Sequence, residues 1–250
     1  MKRFLITGVS SGIGRTLAKD LVLKGNEVWG IARRKELLQE LSYELKNSGR
    51  FFYSVADVSQ EDDWKQLITE MSQKEYHPDT IIFNAAIFKP DLNKDIHIGL
   101  LQETFSVNFF GVIQGIGLLL DYVKKKTQFL AISSLSAFKG SAIEGIGYPA
   151  SKAALSIAFE SLYLKYKNKF IFKTLFLGPV AGGVNHFKKP SFFVASEERT
   201  AQKIEQCLNK SNEIIYFPWL YFFIMRILKL FPAEVYFKLL STKERFGNNF

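Results

Sequence analysis

The chain has 250 residues, 47% of them hydrophobic, with a mean hydropathy of +0.01, enough apolar material to bury the core of one α/β domain. Its only cysteine, Cys207, excludes an internal disulfide, and His77, His97 and His186 lie too far apart, with no ligand spacing around Cys207, to suggest a metal centre. The formal charge is +9, but residues 1–159 carry 19 Lys/Arg against 17 Asp/Glu while residues 160–250 carry 14 against 7, and no zinc-finger or aromatic RNA-binding motif accompanies the basic end, which argues against nucleic acid as a partner.

In chain order, short apolar runs at 4–7, 27–32, 51–56, 80–84, 129–133, 171–177 and 213–217 predict seven buried strands. The first run begins so early that no signal peptide fits before it, which with the single cysteine predicts a reducing, cytoplasmic setting. Amphipathic stretches separate the runs. One covers 14–24 and closes on Gly25; another covers 59–72 and opens on Ser59 as N-cap with Asp62 three residues on. Strands alternating with helices predict a doubly wound parallel seven-stranded α/β sheet, the Rossmann architecture, over residues 1–217, with residues 218–250 as a C-terminal helical extension. The glycine-rich turn at 178–183 and the stretch to Ala195 read as a surface loop.

The first run leads through Thr7-Gly8-Val9-Ser10-Ser11-Gly12-Ile13-Gly14 into a helical pattern. Gly8, Gly12 and Gly14 let backbone approach a pyrophosphate, and the N–H groups of Ser10, Ser11 and Ile13 lie where a helix N-terminus offers unpaired donors to an anion. At the end of the second run stand Arg33 and Arg34, where an NAD-binding fold usually has an acidic residue for the adenosine ribose. Arginine there pairs with a 2′-phosphate, so NADP(H) is expected rather than NAD(H), with Arg15 adding positive charge to the same place. The alternative is that Arg33 and Arg34 begin a solvated helix face continued by Lys35, Glu36 and Glu40; the two readings are compatible.

With these residues in order, the chain resembles the short-chain dehydrogenase/reductase family over roughly residues 1–210. Residues 7–14 match its TGxxxGxG turn, and Asp57-Val58 match the pair that contacts adenine. Phe83-Asn84-Ala85-Ala86 is a partial match to Asn-Asn-Ala-Gly, leaving Asn84 and Ala85 to support the strand and border the cofactor. Asn108, within Val107-Asn108-Phe109-Phe110-Gly111, stands at the family's catalytic Asn; Ser134 ends the fifth strand at its catalytic Ser; Tyr148 and Lys152 supply Tyr-x-x-x-Lys. Four residues apart on a helix, Tyr148 and Lys152 share a face. Two departures stand out. Ser134 to Tyr148 is one residue longer than usual, which makes Ser136 the fallback for the serine. Gly178-Pro179-Val180 follows Leu177 where the family has Pro-Gly before Val and Thr; Gly182 takes the Thr position, so backbone around Val180 is expected to hold the nicotinamide carboxamide.

The resemblance implies a carbonyl/alcohol oxidoreductase. Tyr148 is the acid/base, Lys152 favours its phenolate and bonds the nicotinamide ribose, Ser134 orients the substrate oxygen, and Asn108 holds a water that links Lys152 to solvent. A non-catalytic NADP-binding sensor or scaffold is the alternative, against which the complete set of four argues. A sugar-nucleotide epimerase or dehydratase needs a larger C-terminal domain than this chain provides. Leu135, Phe138, Ile143, Ile146, Phe187, Phe192 and Phe193 point to a lipophilic small-molecule substrate unless they are core. The run from Pro218 to Phe231 is interrupted by Arg226 and Lys229, which disfavours a membrane span. An interfacial helix giving peripheral membrane contact, a cover over the substrate pocket and a subunit contact all remain open for it, as does a second helical segment at 233–240. The family generally pairs through the helices bearing Asn108 and Tyr148, which implies a homodimer or homotetramer using some of Ile113, Ile116, Leu118, Ala154, Ile157, Phe159 and Leu162.

Overall fold

A computed structural model describes residues 1–90, 96–140, 144–182, 189–191 and 194–230. Its strands are β1 (Arg3–Thr7), β2 (Glu27–Ala32), β3 (Phe51–Val55), β4 (Thr80–Phe83), β5 (Gln128–Ser134), β6 (Ile171–Leu177) and β7 (Ile214–Phe217). All pair in parallel in the order β3-β2-β1-β4-β5-β6-β7. The chain winds outward from β1 in one direction and from β4 in the other, so a crevice opens at the carboxyl ends of these two strands, where ligands bind in open α/β sheets.

Parallel strands buried on both faces read as apolar runs, and alternate residues serve opposite layers. Ile6, Val28, Ile82, Leu130 and Leu175 face one layer with Leu17 and Leu21 of α1 (Gly12–Leu23) and Ala201 and Ile204 of α7 (Glu197–Leu208). Leu5, Trp29, Ile81, Phe83, Phe129 and Phe172 face the other, against Trp64 and Leu67 of α3 (Glu61–Gln73), Ile116 of α5 (Gly111–Leu119), and Leu155 and Phe159 of α6 (Gly147–Tyr166). The helices α2 (Lys35–Glu44) and α4 (Ile98–Phe105) complete the crossovers.

Three local expectations need correction. α3 begins at Glu61 with Gln60 as N-cap, not at Ser59, because the Ser59 hydroxyl donates instead to Asp57 Oδ1 at 2.8 Å. The Arg15 guanidinium donates to Glu44 at 2.7 Å and to the Leu37 carbonyl at 3.1 Å, so its charge is spent tying α1 to α2. The stretch after β6 is not wholly surface: Val180 and Ala195 form a parallel bridge, and Ala181 and Val194 are buried beside them.

After β7 the chain enters α8 (Trp219–Leu230). Phe222 stacks on Tyr216 and packs against Phe138, which itself stacks on Phe176 with ring centroids 4.9 Å apart. One face of α8 is therefore pinned to the sheet end, while Trp219, Phe223, Ile227 and Leu230 are exposed on it. No helix among the described residues is long and apolar enough to cross a membrane. Ile143, Phe187, Phe192, Phe193 and the segment 233–240 lie outside the described residues.

Candidate active site

The glycine turn folds tightly over the carboxyl end of β1. Gly8 and Gly12 adopt φ of +78° and +62°, the left-handed region that costs glycine least. A Cβ on Gly8 would lie 2.8 Å from Ala85 Cα, and one on Gly14 would lie 2.2 Å from the Gly8 carbonyl oxygen and 2.5 Å from Asn84 Nδ2. Asn84 Nδ2 donates to the carbonyls of Thr7 (3.1 Å) and Gly8 (3.2 Å). The Thr7 hydroxyl accepts from the N–H groups of Asn84 (3.0 Å) and Ala85 (2.9 Å). Asn84 and Ala85 thus brace the turn from β4.

At the start of α1 the N-cap Ser11 makes no side-chain cap bond, and no acidic residue stands in the first turn. Ile13 lies in that turn, whose backbone N–H groups have no intrahelical acceptors. Arg34 reaches over it, donating from Nε and Nη2 to Ser10 Oγ at 3.2 and 2.7 Å and from Nη2 to Ser11 Oγ at 2.6 Å. Arg33 lies 3.6 Å from Asp57. Asp57 Oδ1 also accepts from the N–H of Ser59 at 3.0 Å, and the carbonyl of the buried Val58 accepts from the Trp64 indole at 2.9 Å. An uncapped helix start, a cradle that side chains would fill and a guanidinium beside it fit a phosphate-bearing dinucleotide.

Tyr148 sits in the first turn of α6 and Lys152 one turn later, both buried, with Nζ of Lys152 5.8 Å from the Tyr148 ring centroid. Ser134 is the side chain whose hydrogen bonding acts on the Tyr148 phenol, lowering it. Burial, with a smaller push from the Glu144 charge, raises the phenol to about 12 against the lowering effect of that bond. Burial pushes the Lys152 ammonium down to about 8. Lys152 donates to the Ile132 carbonyl at 2.8 Å, and the Phe88 ring stands edge-on against Tyr148 at 4.9 Å between centroids.

Period-two alternation along β5 separates its two final serines. Ser134 meets Tyr148, whereas Ser133 turns into the core against Ser156 Oγ (2.8 Å) and the Lys152 carbonyl (3.2 Å). Ser136, in the single 3-10 turn after β5, accepts from Ser134 Oγ at 3.0 Å. Asn108 lies fully buried in a π-helical turn, Ser106–Phe110, between α4 and α5. Its Oδ1 accepts from the Ile87 N–H (2.9 Å), while Nδ2 donates to the Ile87 carbonyl (3.0 Å) and Ser151 Oγ (3.1 Å). Gly178 donates to the Phe217 carbonyl at 2.7 Å, and the Pro179 carbonyl accepts from Ala195 at 3.0 Å, which holds the backbone on either side of Val180.

Sequence reasoning missed Glu144, whose carboxylate accepts from Ser136 Oγ at 2.8 Å. It lies in a stretch without periodicity. It also missed Phe88 and Ser151, which carry no motif.

A family model described as short chain dehydrogenase matches residues 2–186. An uncharacterized oxidoreductase of Saccharomyces cerevisiae is 30% identical over 158 residues, covering 62% of this chain and 61% of that protein. A benzil reductase ((S)-benzoin forming) of the same yeast is 33% identical over 130 residues, 49% of each. The chain therefore spans only about half to three fifths of the length of these curated relatives. Among solved structures, an alcohol dehydrogenase from the archaeon Thermococcus sibiricus complexed with 5-hydroxy-NADP superposes with a TM-score of 0.76 at 23% identity, covering 87% of this chain and 95% of that one. A short chain dehydrogenase/reductase from Burkholderia phymatum in complex with NAD gives 0.79 at 16% identity, covering 90% and 92%. Likeness of fold thus extends across both nicotinamide nucleotides, and the choice between them falls to the site's own residues.

Proposed function

The chain belongs to the short-chain dehydrogenase family, and on that premise we propose that it is an NADP(H)-dependent oxidoreductase interconverting a carbonyl and an alcohol on a lipophilic substrate. The observation that carries this reading is the joint placement, around one crevice, of Tyr148 with Ser134 as its hydrogen-bonding neighbour, Lys152 one turn below, and a glycine turn overarched by Arg34. NADP(H) supplies or accepts the hydride.

Tyr148, held well above its ordinary value by burial, keeps its proton at neutral pH and gives it to the carbonyl oxygen; oxidation reverses the transfer. Ser134 orients that oxygen. Lys152 supplies positive charge that eases phenolate formation and a donor for the nicotinamide ribose. The Asn108 side chain donates both Nδ2 protons, to Ile87 and Ser151, and accepts one bond at Oδ1, which leaves an Oδ1 lone pair for a water leading to Lys152. Phe88 against Tyr148 and the exposed Ile146 just before α6 favour an apolar substrate.

The reading extends to assembly. Ile116 and Phe159 face the sheet, but Ile157 and Leu164 are exposed on α6 and Phe110 beside α5, a surface suited to a second copy. The exposed apolar stripe of α8, with Arg226 among it, suits peripheral contact with a membrane surface.

The test is fluorescence titration of NADPH and NADH, followed by absorbance decay with lipophilic ketones and aldehydes, for the native protein and Tyr148→Phe. The variant removes one hydroxyl, so nucleotide binding persists and turnover disappears. Turnover retained in Tyr148→Phe refutes the role of Tyr148; failure to bind either nucleotide refutes the whole reading; NADPH binding without turnover favours the sensor.

A further inference from the structure

Beyond Tyr148 the hydrogen bonds continue in a line that the hydride-transfer reading does not use. Ser134, the neighbour whose hydrogen bonding lowers the Tyr148 phenol, donates from Oγ to Ser136 Oγ at 3.0 Å, and Ser136 Oγ donates to Glu144 Oε1 at 2.8 Å. The Ser136 N–H also donates to Ser134 Oγ at 3.1 Å, which pins the two serines at the corner where β5 ends.

The chemistry at the far end sets the direction of the whole line. An ionised carboxylate only accepts, so Ser136 must give it its one proton, must then accept from Ser134, and Ser134 must in turn accept from the phenol. A protonated Glu144 reverses every link: it donates to Ser136, Ser136 to Ser134, and Ser134 is left donating toward Tyr148 and any oxygen beside it. The charge state of Glu144 thus decides whether Ser134 presents a lone pair or a proton to the reacting centre.

We propose that Glu144, acting through Ser136 and Ser134, is the proton reservoir that recharges Tyr148, a positioning and proton-holding residue for the reaction assigned above. This rests on the oxidoreductase reading. After Tyr148 has given its proton to the substrate oxygen, Glu144 passes its proton to Ser136, Ser136 passes its own to Ser134, and Ser134 passes its own to the phenolate. Each hydroxyl gains one proton and loses one; the net change is a protonated carboxyl and a phenolate becoming a carboxylate and a phenol, with no change of oxidation state. Water then reprotonates Glu144, which is only partly buried. Burial raises the carboxyl of Glu144 against the lowering effect of the Ser136 bond, which brings its proton closer to exchange near neutrality. The route enters Tyr148 from Ser134, while Lys152 approaches the ring from below, so it supplements Lys152 rather than replacing it.

The experiment measures carbonyl reduction and NADPH binding for the native protein, Glu144→Gln, Glu144→Ala, Ser136→Ala, Ser136→Thr, the double variant Ser136→Ala/Glu144→Ala, and Tyr148→Phe as control. Glutamine keeps the acceptor for Ser136 but cannot take up or release the proton, so kcat falls on the order of tenfold or more while NADPH affinity and melting temperature hold. Added formate restores part of the kcat of Glu144→Ala, an effect a merely structural role would not produce. Ser136→Ala falls as far as Glu144→Ala, Ser136→Thr recovers because it keeps the hydroxyl, and the double variant is no worse than either single one, as members of one line require. Full kcat in Glu144→Gln, or losses that add in the double variant, overturns the relay. If the native protein reduces carbonyls, Tyr148→Phe does not and Glu144→Gln is unimpaired, the relay falls alone; if the native protein reduces none, the oxidoreductase reading falls with it.

Discussion

Replacing Arg34 by alanine separates NADPH from NADH. The guanidinium is already anchored by three hydrogen bonds to Ser10 and Ser11, so little side-chain freedom remains to be lost when a 2′-phosphate arrives beside it. A charge-assisted bond of this kind is worth about 1.5–3 kcal/mol, and each ~1.4 kcal/mol is tenfold in affinity. Arg34→Ala should therefore weaken NADPH by about ten- to a hundredfold and leave NADH, which has no 2′-phosphate, within about twofold. Arg33, with 56% of its side chain exposed and its nearest carboxylate 3.6 Å away, is a weaker partner; Arg33→Ala should cost NADPH only about 0–1 kcal/mol. Nucleotide fluorescence titration at two ionic strengths is the assay, because the NADPH advantage should shrink as salt screens the pair. Equal weakening of both nucleotides, or no change for NADPH, refutes the assignment of Arg34 to a phosphate.

Lys152→Met should stabilise the protein at pH 7 while abolishing turnover. The folded value of Lys152, about 8, lies below the ordinary 10.5, so the unfolded chain binds the extra proton; the cost is full below pH 8, roughly 3 kcal/mol, and fades as pH rises from 8 to 10.5. Melting curves at pH 7 and 10 check both the sign and the window. Gly14→Ala drives a Cβ into the Gly8 carbonyl and Asn84, contacts with backbone on one side, and should destabilise by about 1–3 kcal/mol while weakening both nucleotides together in the same titration. Ile157→Glu with Leu164→Glu should shift the protein to a smaller species in sedimentation if α6 pairs two copies. Trp219→Glu with Phe223→Glu should reduce sedimentation with anionic lipid vesicles, and an unchanged bound fraction removes α8 from membrane contact.

What was legible in the sequence was what depends on neighbours along the chain. All seven strands stand within a residue or so of their apolar runs, because a strand buried on both faces has no polar position to confuse its limits. The glycine turn was legible for the same reason: Gly8 and Gly12 need their φ and Gly14 its missing Cβ whatever lies elsewhere. Contacts closed across the chain were not. Arg15 was expected to add positive charge to the nucleotide pocket, but Glu44, two elements on, pairs with it. Asn108 stood in a matching motif, but nothing local announces a π-helical turn, and so nothing announced that its side chain would be tied to Ile87 and Ser151. Glu144 belongs with these, since its partner Ser136 is set by a corner of the fold.

The extra residue between Ser134 and Tyr148 gains a physical meaning from the same corner. In a strand that simply ended, Ser134 would face Tyr148 with its proton free to turn either way. The 3-10 turn Leu135–Phe138 instead brings Ser136 close enough to Ser134 for its N–H and its hydroxyl to engage the same oxygen, and Glu144, four residues before Tyr148 in sequence, accepts from Ser136 Oγ. Burial is the main cause of the upward shift of Tyr148, and a carboxylate at Glu144 adds a smaller push in the same direction, which would slow any cycle that had to store Tyr148 ionised. The same carboxylate helps a cycle that returns to the protonated phenol after each turnover. Burial and the Glu144 charge together favour the protonated phenol, the state that the proposed carbonyl reduction draws on.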